Sequence, residues 1–246
     1  MTIASLAMYP FTHLRSSYQS LWDDVRLRLS FDAPELNWDV EPDAACRRDD
    51  LLLGQTCGWP LVKELSTSVH VVGTFDCDVD GAVDGTYRSV LVSNLGDPLK
   101  EILRRSNLRV AANSRDSLSG WISLLSAASA EGVRLLDAVE WTGSHAASID
   151  AVRDGRCQLA AIDAVSLAHL GGGGVSIVGH GPRIPCLPLV SSRSMSHAKV
   201  SELRAALASS VEDGAMAETC RKLKIRGFLE RELADYQQIS DWVELW

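Results

Sequence analysis

The sequence is as informative in what it lacks as in what it holds. It has no apolar run near the roughly 20 residues that a membrane-spanning helix needs. It has no Cys-x-x-Cys and no His-Glu-x-x-His, so two familiar zinc-binding spacings are missing, and no metal or cofactor is expected. No Gly-Lys-Ser/Thr follows the glycine run Gly171–Gly174, which therefore reads as a loop tip and not as a phosphate loop. Basic residues are few: 24 Lys and Arg stand against 32 Asp and Glu, for a formal charge of -8. Binding to nucleic acid releases counterions through a basic patch. The densest local cluster, Arg221-Lys222-Leu223-Lys224-Ile225-Arg226, reads as the solvated face of a C-terminal helix, so no nucleic-acid partner is expected.

What is present suits a globular α/β protein. The 246 residues, 46% hydrophobic and 23% charged, suffice for one large domain or two modest lobes with their own cores. The six cysteines (Cys46, Cys57, Cys77, Cys157, Cys186 and Cys220) are scattered and read as reduced, packed thiols. The segment Met1–Pro10 lacks the basic start and long apolar stretch of a signal peptide. The expected location is cytoplasmic, or periplasmic if a leader is missing from this start.

Along the chain, apolar β-branched stretches alternate with helical periodicity. Strands are expected at Ile3–Met8, Val69–Phe75, Tyr87–Ser93, Leu108–Ala112, Leu135–Trp141, Gln158–Ile162 and Val175–Gly179, with an extended crossing segment at Pro182–Pro188. Helices are expected at 12–29, Asp49–Leu53, from Pro98, at Trp121–Ala130, Ala146–Asp154, from Asp163 to His169, and at 197–212 and 214–235. On the first, Leu14, Tyr18, Leu21, Trp22, Val25 and Leu29 share a face. Such alternation predicts largely parallel sheets.

One device recurs. An apolar strand runs into a turn of small polar residues and a helix starts at once: at Gln55-Thr56-Cys57-Gly58, Ser117-Leu118-Ser119-Gly120, Thr142-Gly143-Ser144-His145 and, more weakly, Asp163. The free N–H groups and dipole of a helix start attract an anion, and ligands of open α/β sheets sit beyond the carboxyl ends of the strands. An acidic protein can thus hold an anion with few basic residues. Each turn alone is equally a simple helix cap. Among the other histidines, His13, His70, His169, His180 and His197 read as surface or structural, and Cys57 as packed. Trp59 and Trp121 follow such turns and are candidate walls, whereas Trp22, Trp38, Trp141, Trp242 and Trp246 read as packing.

Read in order, Ala4–Tyr9, Gln55–Gly58, Tyr87-Arg88-Ser89, Asn113-Ser114, Ser117–Gly120, Thr142–His145 and Ala160–Asp163 resemble the phosphate/phosphite/phosphonate-binding components of ABC transporters, through to about Pro188. The resemblance implies a type 2 periplasmic-binding-protein fold of two lobes joined by two crossing strands, with lobes at 1–90 plus 191–246 and at 91–190. It implies a monomer that takes a small anion between its lobes and serves an ABC permease. It assigns oxyanion contacts to Ser117, Leu118, Ser119 and His145, aromatic contacts to Tyr9 and Tyr87, and an acceptor role to Asp163, beside the turn residues Gln55 and Thr56. Leu118 stands where the family usually has threonine, which removes one hydroxyl donor. Two other functions fit the same scaffold: an enzyme acting on a small carboxylate, with His145 and Asp163 as its acid–base pair, and a ligand-sensing domain.

Overall fold

The structure is a computed structural model, described for residues 2–135 and 138–243. In chain order its elements are β1 (Ile3–Ser5), α1 (Arg15–Leu27), α2 (Pro42–Cys46), β2 (Leu51–Gln55), α3 (Gly58–Pro60), β3 (Val69–Cys77), β4 (Thr86–Ser93), α4 (Leu99–Leu103), β5 (Val110–Ala112), α5 (Ser123–Ala130), β6 (Val139–Trp141), α6 (His145–Arg153), β7 (Leu159–Ile162), α7 (Ala164–Leu170), β8 (Ser176–Pro185), β9 (Pro188–Ser192), α8 (His197–Glu212), α9 (Ala217–Leu223), β10 (Ile225–Leu229) and α10 (Gln238–Val243). Wider π-type turns at Leu61–Leu65 and Leu118–Ile122 follow α3 and precede α5.

The chain divides into two compact units. One comprises Met1–Asp78, Ala82–Thr86 and Pro185–Ser240; the other Val79–Gly81, Tyr87–Ile184 and Asp241–Trp246. The first unit is built on a sheet in the order β1-β2-β9-β3-β10, with β1 and β2 parallel and β9 and β10 antiparallel to their neighbours. Leu14, Tyr18, Leu21, Trp22 and Val25 are buried on the inner face of α1 and its preceding turn, as their three- and four-residue spacing predicts. Trp22 is fully buried and its indole N–H donates to the Pro34 carbonyl at 2.7 Å, so the ring packs without leaving its one donor unpaired. The second unit is built on a sheet in the order β6-β5-β7-β4-β8. Here β6, β5 and β7 run parallel, and Leu91, Ile102, Val110, Leu124 and Leu159 pack in its core.

Four expectations need correction. The sheets are mixed: β9 and β10 in the first unit, and the β4–β7 pair in the second, are antiparallel. Asp49–Leu53 is not helical; Leu51–Gln55 forms β2, buried on both faces, and the helix lies earlier at Pro42–Cys46. A continuous apolar run has no period to tell strand from helix. The segment 214–235 is not one helix. Lys224 adopts the left-handed conformation (φ 57°) that ends α9, and Ile225–Leu229 pairs with β3. The basic cluster is thereby split. Arg226 leaves the helix altogether and pairs with Asp76 on β3 at 2.7 Å. Finally, Val175–Gly179 and the start of the crossing segment are one strand, β8, with β9 following. Part of the expected Leu135–Trp141 strand, and Trp246, lie outside the described residues.

Replacing a buried aromatic by alanine removes its transfer energy and leaves a cavity. Trp22→Ala is expected to lower the unfolding free energy by about 3–5 kcal/mol in denaturant titration. A loss below about 1 kcal/mol would contradict the packing described for α1.

Candidate functional site

In the second unit the local structure is set by the parallel pairing of β5 with β6, which registers Ala112 against Trp141. The pairing continues past the strand ends. Thr142 N–H donates to the Ala112 carbonyl at 2.9 Å and Gly143 N–H to the Asn113 carbonyl at 3.0 Å. Gly143 then turns the chain with φ 84°, a conformation that disfavours other residues. Ser144 caps α6 by accepting the Ala147 N–H at 3.1 Å. His145 is therefore the first residue of α6, beside the turn that follows β5.

That neighbouring turn caps itself. Ser117 Oγ accepts the Gly120 N–H at 3.0 Å, and Ser123 Oγ donates to the Leu118 carbonyl at 2.8 Å. Gly120 lies where any side chain would displace its neighbours. A Cβ there would lie 1.9 Å from Asn113 Oδ1 and 2.9 Å from Ser117 Oγ. Across the two turns, Ser119 Oγ and His145 Nε2 are 3.1 Å apart. Whichever tautomer the ring holds, one of the pair keeps a proton to donate to a third group. Burial pushes the His145 pKa below the usual histidine value, and the Asp163 carboxylate offsets this only in part. Together the two effects leave the neutral form of the imidazole favoured relative to a free histidine.

Asp163 caps α7, its Oδ1 accepting the Ser166 N–H at 2.8 Å, while Oδ2 accepts the Tyr87 hydroxyl at 2.5 Å. Both residues are buried. On the rim, Trp121 and Trp141 meet edge to face with ring centroids 5.2 Å apart, and the Arg115 guanidinium lies 4.7 Å from the Trp141 centroid.

The sequence-predicted residues thus fall into three sets. Ser117, Leu118, Ser119 and His145 come together on two joined turns. Tyr87 and Asp163 pair with each other. Tyr9, Gln55 and Thr56 belong to the first unit, buried after β1 and at the end of β2. Sequence reading includes Asn113, which touches both turns, and Ser5, at the end of β1, in segments of the resemblance but gives neither a ligand role. The buried oxygens Asn113 Oδ1, Ser5 Oγ, Gln55 Oε1 and Thr56 Oγ1, and the ring nitrogen His145 Nδ1, have no hydrogen-bond partner. All lie at or just beyond the carboxyl ends of β1, β2, β5 and β6. Buried polar atoms are nearly always paired; of these, Asn113 Oδ1 and His145 Nδ1 lie on the joined turns of the second unit, Ser5, Gln55 and Thr56 lie at strand ends of the first, and Ser210 Oγ, likewise unpaired, lies on α8. Placement of Arg115 on Trp141 was equally invisible, since Trp141 alone reads as packing.

Two consequences are measurable. Gly120→Ala is expected to destabilise the second unit by about 1–3 kcal/mol through the clash with Asn113, read from denaturant titration; an unchanged midpoint would contradict the close approach. The second concerns His145, whose folded pKa is depressed. Above the unfolded value of about 6.5 it is neutral in both states and contributes no pH dependence. Below that value the unfolded chain binds a proton that the folded chain refuses, so stability falls as the pH drops. His145→Gln should therefore flatten the fall in stability between about pH 7 and pH 5; an equal slope in both proteins would contradict the lowered His145 pKa.

A family model described as "ABC transporter, phosphonate, periplasmic substrate-binding protein" matches residues 59–236, more than half of the chain. No curated protein matches it. Among solved structures, PhnD1 of Prochlorococcus marinus in complex with methylphosphonate is similar at 16% identity, covering 100% of this chain and 97% of that one, with a TM-score of 0.76. A binding-protein component of an ABC phosphonate transporter from Pseudomonas aeruginosa is similar at 14% identity, with 100% and 85% coverage and a TM-score of 0.78. A Xanthomonas citri protein bound to chloride is similar at 14% identity, with 100% and 97% coverage and a TM-score of 0.73. These likenesses give the fold as that of type 2 periplasmic binding proteins. By its match to the family model, the chain belongs to the phosphonate-type periplasmic substrate-binding proteins of ABC transporters.

Proposed function

We propose that this chain binds a small phosphorus oxyanion, a phosphonate or phosphate, at the carboxyl ends of β5 and β6, releases it unchanged, and serves an ABC permease as a monomer on the periplasmic side. The observation that carries the reading is the 3.1 Å approach of Ser119 Oγ to His145 Nε2 on two helix-opening turns. A hydroxyl, an imidazole and the amides of helix starts are suited to an oxyanion, and being neutral they hold it without a bulk counter-charge. The ligands of similar proteins, methylphosphonate in PhnD1 and chloride in the Xanthomonas citri protein, are anions and support the same class here.

Catalysis fits less well. An acid–base pair of His145 and Asp163 needs a carboxylate able to exchange a proton with substrate. Here one carboxylate oxygen is engaged as the cap of α7 and the other with Tyr87.

Calorimetric titration of ligand-stripped protein against methylphosphonate, phosphate and sulfate tests the proposal. Saturable binding of a phosphorus oxyanion is expected. Ser119→Ala and His145→Ala should each weaken it about 10- to 100-fold, the loss of a hydrogen bond to a charged group. Absence of heat with every phosphorus oxyanion, or binding that neither substitution weakens, would overturn it.

A further inference from the structure

We infer that the ligand carries a second anionic group, a carboxylate in the simplest case, recognised by Arg115 from its seat on Trp141; this rests on the oxyanion reading above. Three residues make the platform, and each is anchored to one of the two oxyanion turns. Arg115 lies between β5 and Ser117. Trp121 follows Ser119 by two residues in the same π-type turn, and Trp141 ends β6, four residues before His145. The two indoles touch at 5.2 Å, so the platform bridges the turns.

The chemistry of the stack points to an anion. At 4.7 Å from the Trp141 centroid the Arg115 guanidinium is attracted by the ring quadrupole, and its N–H donors have no carboxylate acceptor among the described residues. A guanidinium so held can give a carboxylate the two-point grip of arginine. Arg115 is exposed and has no ion-pair partner among the described residues. Arg28, Arg48, Arg105, Arg153 and Arg226 are held by carboxylates, whereas Arg115, like Arg15 over Trp38 at 5.3 Å in the first unit, is held by an indole; Arg115 is the one that adjoins the oxyanion turns.

A cationic tail finds no comparable welcome. The buried carboxylate of this unit's site, Asp163, is already engaged by the Tyr87 hydroxyl and the Ser166 amide. An ammonium group would also face the Arg115 charge. The charge pattern therefore selects a carboxylate-bearing phosphonate over an alkylphosphonate with an uncharged substituent, and both over an aminoalkylphosphonate.

The test is calorimetric titration of the full chain with phosphonoacetate, methylphosphonate and 2-aminoethylphosphonate, in the native protein, Arg115→Gln and Arg115→Lys. Phosphonoacetate is expected to bind about tenfold or more tighter than methylphosphonate, and 2-aminoethylphosphonate more weakly than either. In Arg115→Gln the phosphonoacetate and methylphosphonate affinities should converge. In Arg115→Lys part of the gap should persist, because the charge remains and the planar fork does not. If methylphosphonate binds in a Ser119-dependent way and phosphonoacetate binds no tighter, the second anionic group is refuted and the oxyanion site stands. If the gap is present but survives Arg115→Gln, Arg115 is not its source and the inference fails. If none of the three binds but phosphate does, the second anionic group is refuted and the oxyanion site stands; if phosphate fails as well, both readings fall together.

Discussion

The candidate site depends on one pairing, β5 against β6, and on its continuation beyond the strands. Parallel strands in register bring two loops to the same end of a sheet. Two further backbone hydrogen bonds, from Thr142 to Ala112 and from Gly143 to Asn113, zip those loops together before either helix begins. Everything else follows from that junction. Ser117 spends its hydroxyl oxygen on its own turn, Ser144 caps α6, and Ser119 and His145 are left facing each other at 3.1 Å. Gly120 gives Asn113 room to sit in the junction, and Gly143 supplies the sharp change of direction.

The electrostatics of the junction are those of a polar site without bulk charge. Burial lowers the pKa of the imidazole, and the nearby carboxylate is tied into a cap and a tyrosine hydrogen bond. Oriented dipoles do not have to reorganise when an anion arrives, and they are more effective away from water than in it. On the proposed reading, such dipoles would let a chain of net charge -8 hold an oxyanion. Arg115, stacked at the rim, adds a charge without placing it in the junction itself.

Much of this was legible in the sequence because the chemistry is local. Polar turns between an apolar strand and a helix announce caps, and the structure has Ser117, Ser144 and Asp163 capping helical turns. The helix at 197–212 and the buried face of α1 follow from apolar spacing alone. What was illegible is non-local or lacks a period. Leu51-Leu52-Leu53 is apolar on every side and carries no signal separating strand from helix. The end of α9 turns on one lysine adopting a left-handed conformation, which its residue type does not announce. The antiparallel places of β9 and β10 depend on which distant strand they meet. Asn113 and the Arg115–Trp141 stack belong to the same class, since their partners are fixed by the β5–β6 register and not by neighbours in sequence.

The most direct test of the central claim, that the anion sits on the joined turns after β5 and β6, is a nitrogen–proton NMR titration with methylphosphonate that follows backbone amides and the His145 ring. The account predicts that the largest shifts fall on Ser119, Gly120 and Trp121 and on the amides opening α6, with the His145 ring nitrogens shifting in step. Saturable shifts confined to other segments, leaving His145 and the Ser117–Gly120 turn unmoved, would contradict it.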